Sequence, residues 1–162
     1  MATLSVWKFD SETGADEAVR TLENLAKQEL IKIHDAATVS WKVDAKRPKT
    51  RQLNNLAGAG ALGGMFWGLL FGLIFFVPLL GAAIGAATGA IGGALTDVGI
   101  DDDFIKQTRD QVTPGTSALF LLSSDAVIDK VQEAFAGQHK PQLISTNLST
   151  EQEEALRTTF SE

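Results

Sequence analysis

From Gln52 to Thr96 the chain carries no Asp, Glu, Lys, Arg or His, forty-five consecutive positions out of 162. Eleven of the fifteen glycines fall inside that stretch. They are phased. Gly60, Gly64, Gly68 and Gly72 form one series and Gly81, Gly85, Gly89 and Gly93 a second, with Phe75-Phe76-Val77-Pro78-Leu79-Leu80 between them. Residues four apart share one face of an α-helix, so each series makes a stripe of bare backbone. Such a stripe admits another helix at close range, the small-xxx-small packing of helices in lipid. The pattern predicts a helical hairpin, residues 54–76 and 79–96, turning near Pro78.

A flexible linker is excluded by content, since Leu62, Phe66, Trp67, Leu69, Leu70, Phe71, Leu73, Ile74, Phe75 and Phe76 are too apolar for solvated coil. Glycine costs about 1 kcal/mol against alanine inside a helix, so so many of them would dismantle a helix left in water. The stretch therefore belongs in a membrane or inside a protein assembly, and each arm approaches the roughly 20 apolar residues of a span. Two details bend the plain two-span picture. The tip, Phe76 to Leu80, offers nothing polar to water, and Trp67 lies well inside its arm although Trp favours the headgroup belt. Both suit a tip that stays covered, as a re-entrant hairpin or against other copies. The Ala-rich second arm is expected inside the packing, with the Phe- and Leu-rich first arm facing lipid or a neighbouring subunit.

Charge and composition bound the remainder. A net charge of −6 and a pI of about 4.9 argue against nucleic acid as a partner. The absence of Cys removes disulfides, thiolate metal sites and thiol catalysis. The first residues have no basic start and no long apolar core of a signal peptide, so the polar part is expected on the cytoplasmic side. Lys46, Arg47, Lys49 and Arg51 precede the hairpin with no acidic residue between Asp44 and Asp97. Such a cluster favours a cytoplasmic membrane face and attracts anionic headgroups. Asp101, Asp102 and Asp103 mark the other foot. They suit the start of a helix, whose dipole they favour, or an inter-subunit pairing with the basic foot.

Outside the hairpin, residues 2–9 alternate as a strand and 11–29 as a helix, capped by Asp10 or Ser11 with Ala18, Leu22, Leu25, Ala26 and Glu29 at helical spacing. A second strand is read at 37–43, a helix at 101–112, a turn at Thr113-Pro114-Gly115, and a strand at 117–123 that is apolar on both faces and so central. A helix to Ala136 and a strand at 141–147 follow, then a capping-box start at Ser149. The order predicts an α+β fold: a ferredoxin-like βαβ-βαβ sandwich, residues 1–51 and 97–162, with an inserted apolar two-helix hairpin, residues 52–96. The second and third strands of that topology are antiparallel neighbours, so a hairpin with adjacent feet inserts there without disturbing it. Trp7, Phe9, Trp41 and Leu119 or Leu121 are expected to share one sheet face, either left open by the helices as a partner surface or packed under the last helix.

Val6-Trp7-Lys8-Phe9, Val39-Ser40-Trp41-Lys42, the Gly60–Gly93 repeats, Asp101-Asp102-Asp103-Phe104 and Pro114-Gly115-Thr116-Ser117-Ala118 together resemble a bacterial membrane-associated family, domain of unknown function twelve sixty-nine. The resemblance implies location and architecture, and no activity, cofactor or catalytic residue.

The residues themselves point to no chemistry. His34 and His139 have no second ligand at a metal spacing, Ser123-Ser124 lacks a nucleophile elbow, and the glycines run on too long for a phosphate loop. The expectation is a non-enzyme without cofactor or metal, at the bacterial inner membrane or its cytoplasmic face, self-assembling through the glycine helices and touching lipid, in a structural or stress-related role. Two alternatives stand beside it: an oligomeric channel, and a soluble ligand-binding domain assembled into a cage or filament with its hairpin buried.

Overall fold

The computed structural model describes residues 2–28, 33–46, 48–52, 67, 70–71, 74–75, 100, 102–135, 141–152 and 154. They form a mixed α+β body built on a five-stranded antiparallel sheet. In chain order the elements are β1 (Ala2–Phe9), α1 (Gly14–Lys27), β2 (Ile33–Ser40), β3 (Lys49–Gln52), α2 (Asp102–Gln111), β4 (Ser117–Ser124), α3 (Asp125–Phe135) and β5 (Gln142–Leu148). The strands lie in the order β3-β2-β4-β1-β5. β4 is central, as its two apolar faces require, and pairs with β1 from Phe9↔Ser117 to Ala2↔Ser124 and with β2 from Ser40↔Ser117 to Ile33↔Ser123.

Side chains alternate across a strand, so the sheet has two apolar faces and a core on each. On one face Trp7, Phe9, Leu119 and Leu121 pack under α1 and α3 with Ala15, Ala18, Val19, Leu22, Val131 and Phe135. The α1 members fall at i, i+3, i+4 and i+7, the stripe of an amphipathic helix. Of the two expected placements, the aromatic residues thus take the one beneath the helices, apart from Trp41; Phe135 meets Trp7 edge-on at 5.5 Å and Phe9 at 6.0 Å. On the other face Leu4, Val6, Ala37, Val39, Phe120 and Leu122 lie against α2, through Phe104 and Ile105, and against residues from the charge-free stretch.

The second strand is Ile33–Ser40 where the alternation suggested 37–43. A bulge between Ile33 and Asp35 and the partner strand's start at Ser117 set its ends. The Trp41/Val43 alternation runs on past the partner, leaving Val43 73% exposed. The short edge strand β3, unforeseen in the sequence, places two residues of the basic cluster in the sheet, pairing Ser40↔Lys49 and Thr38↔Arg51.

The turn into β4 is type II in its chemistry: Pro114 second, Gly115 third with φ 89°, and Thr116 N–H donating to Thr113 O at 3.1 Å. Helix α1 is not capped by Asp10 or Ser11. Its N-cap is Thr13, which makes no side-chain cap bond. Instead the buried Ser117 Oγ accepts from Ala15 N–H at 2.9 Å and donates to Ser11 O at 2.7 Å, tying the start of β4 to the β1–α1 loop. Gly14 allows that approach, because a Cβ there would stand 2.5 Å from Phe9 Cβ. Ser117→Ala leaves a buried N–H and a carbonyl without this partner, and a loss of about 1–3 kcal/mol in urea unfolding is expected. The capping box at the last helix is present, with Ser149 N–H on Gln152 Oε1 at 2.9 Å and Gln152 N–H on Ser149 Oγ at 3.1 Å.

Candidate functional site

The first candidate is the bed on which five residues of the charge-free stretch rest. Trp67, Leu70, Phe71, Ile74 and Phe75 are all buried, and their spacing is that of one helical face. Phe71 stands edge-on to Phe120 at 5.0 Å, Trp67 meets Phe120 at 6.4 Å, and Phe75 meets Trp41 at 5.8 Å. Arg109 on α2 donates from Nε to Ile74 O at 3.0 Å. Ile100, where the chain re-enters, is buried in the same cluster. For these five residues the expectation of a lipid-facing or neighbour-facing arm does not hold: the sheet has a second apolar face to cover, and they cover it. Gly60, Gly64, Gly68, Gly72, Gly81, Gly85, Gly89 and Gly93 lie outside the described residues, as does the tip near Pro78. Among the described residues no helix is long and apolar enough to cross a membrane.

The charged feet separate. Lys49 and Arg51 share the α1 side of β3 with their partners Ser40 and Thr38, whereas α2, which carries the exposed Asp103, packs on the opposite face. Arg51 reaches Asp16 of α1 at 3.7 Å, both side chains more than half exposed. A pair so exposed contributes little. Lys46 is exposed in the loop before β3, Asp102 begins α2, and Arg47 and Asp101 lie outside the described residues. His34 falls at the β2 bulge, His139 lies outside the described residues, and no cluster of three metal-ligating side chains occurs among those described.

A second feature was missed in the sequence. Between the first turn of α1 and the strands β2 and β3 lies a cleft of about 290 Å³, lined by Glu12, Thr13, Asp16, Thr38, Ser40, Lys42, Lys49 and Arg51. Its floor is the hydroxyl pair Thr38 and Ser40, two apart on β2 and therefore on one face. Glu12 accepts from Val43 N–H at 2.9 Å, which fixes the rim. The only trace in the sequence is that polar alternation, and it means little until the residues of α1, β2 and β3 are brought together.

No curated protein and no solved structure matches the chain. The Val6–Phe9 and Val39–Lys42 signatures lie ahead of the segment that a family does match. That segment is residues 61–161, well over half of the chain, and by it the protein belongs to the family described as Protein of unknown function (DUF1269).

Proposed function

We propose that this protein is a non-enzymatic, self-assembling protein that works at a membrane face, with a ferredoxin-like head and a glycine-striped insertion as its assembly element. The ferredoxin-like reading rests on β1 and β2 flanking β4 while β4 and β5 flank β1, with α1 and α3 on one side and β3 as an added edge. The observation that carries the functional reading is that Phe75 and Ile100 are buried in one cluster. The glycine- and alanine-rich residues 76–99 therefore begin and end on the head.

Length then limits what they do. A single span takes roughly 20 residues, so two crossings take about 40. The twenty-four residues of 76–99 fall well short of that. A loop leaving and rejoining one body enters a bilayer only shallowly, or it meets another copy. The same arithmetic weighs against a pore. Gly81, Gly85, Gly89 and Gly93 recur every fourth residue, and that spacing serves close helix contact between copies. Burial of Trp67, Leu70, Phe71, Ile74 and Phe75 against the head also favours a second reading, a detergent-free cage or filament without lipid.

The full chain, purified without detergent, is expected to sediment as an oligomer and to float with phosphatidylglycerol vesicles. Gly85→Leu with Gly89→Leu should reduce it to a monomer with an unchanged far-UV spectrum. Oligomers that ignore vesicles establish the second reading in place of the first. A wild-type monomer, with vesicles or without, overturns both.

A further inference from the structure

The geometry points to the α1–β2–β3 cleft as a binding site for the phosphate group of a small phosphorylated polyol, free or as a lipid headgroup. The chain as a whole repels anions, with 20 acidic residues against 14 basic ones, yet five of those 14 cations fall within residues 42–51. Three of the five, Lys42, Lys49 and Arg51, line this cleft.

The acidic groups beside them do not neutralise the site. Glu12 is engaged by the Val43 amide and Asp16 by Arg51. Among the described residues Lys42 and Lys49 make no ion pair, and three cations against two carboxylates leave the cleft with one positive charge in excess. Thr38 is the second, independent sign. It is only 3% exposed and lines the cleft, and its hydroxyl makes no hydrogen bond among the described residues. That hydroxyl opens into the cleft, where a ligand oxygen can reach it. Ammonium and guanidinium groups above a hydroxyl floor match a phosphate, which takes charge-assisted bonds from the cations. The hydroxyls of Thr38, Ser40 and Thr13 suit the polyol attached to it. The volume lies near the lower end of the roughly 300–1,000 Å³ typical of small-molecule sites, enough for a phosphorylated three-carbon unit and too little for a dinucleotide.

This site does not depend on the assembly reading, since the cleft lies on the α1 side of the sheet and the insertion's bed on the other. The test is titration of the full chain with inorganic phosphate and with glycerol 1-phosphate by calorimetry and amide NMR, and flotation with phosphatidylglycerol against phosphatidylcholine vesicles. Saturable binding is expected, with amide shifts at Thr13, Thr38 and Ser40. It should weaken at least tenfold in the Lys49→Gln, Arg51→Gln double variant and stay unchanged in Lys46→Gln, which does not line the cleft. The variants lie on an exposed edge, and far-UV spectra matching wild type confirm their fold. Binding of the soluble phosphates assigns a free ligand; binding confined to phosphatidylglycerol vesicles, with the same variant sensitivity, assigns a headgroup. No saturable binding to any of the probes, or binding that the double variant leaves intact, overturns the proposal.

Discussion

Phe71→Ala should lower the stability of the α+β body by about 3–5 kcal/mol, the range for truncating a buried aromatic side chain. Phe71 is 4% exposed and touches rings on three sides: Phe120 at 5.0 Å, Trp67 at 5.7 Å and Phe75 at 6.2 Å. Small domains are stable by only about 5–15 kcal/mol, so the urea midpoint of the full chain should fall by about a fifth or more. The result bears on function as well as on folding. Were the charge-free stretch a bilayer element independent of the sheet, removing one of its phenyl rings would leave the unfolding of β1, β2 and β4 unmoved. An unchanged midpoint by far-UV circular dichroism would remove the bed under the insertion, and with it the length argument against two membrane crossings.

Phe135→Ala tests the opposite face. Phe135 ends α3, is 1% exposed, and presents its ring edge-on to both Trp7 and Phe9. Truncation should again cost about 3–5 kcal/mol, because α1 and β1 cannot both close on the void. Trp7 adds a spectroscopic handle: its indole N–H donates to Ser5 Oγ at 2.9 Å inside the same core, so its emission should shift to the red as water enters. Vesicle flotation and sedimentation of the variant, measured below its unfolding transition, should stay those of wild type, since Trp67, Leu70, Phe71, Ile74 and Phe75 pack on the other side. A variant that loses assembly while remaining folded would mean that the two faces are coupled.

Much of the body was legible in the residues. The alternation in 2–9 and the two-sided apolar run at 117–123 gave β1 and the central β4, and the helical spacing of Ala18, Leu22, Leu25 and Ala26 gave α1. Pro114-Gly115 gave the turn because only a residue free of a Cβ adopts φ 89° at ease. Three features were not legible. Periodicity shows that Trp7 and Phe9 share a face but not which helices come to lie on it. Edge strand β3 has no apolar pattern of its own; Lys49-Thr50-Arg51-Gln52 is held by backbone pairing with β2. The cleft is assembled from three elements distant in sequence, and no local signal announces it.

The sequence by itself determined that residues 52–96 carry no charge, are apolar in content and repeat glycine every fourth residue, because these are local properties of the chain. It could not decide what covers them. Only the tertiary structure did that for Trp67, Leu70, Phe71, Ile74 and Phe75, by leaving one face of the sheet without enough helix of its own and bringing these side chains onto it. The hydrophobic effect has no direction, so lipid, a second copy and the chain's own sheet satisfy an apolar stripe alike. Which of them does so is settled by the surface that lies within reach.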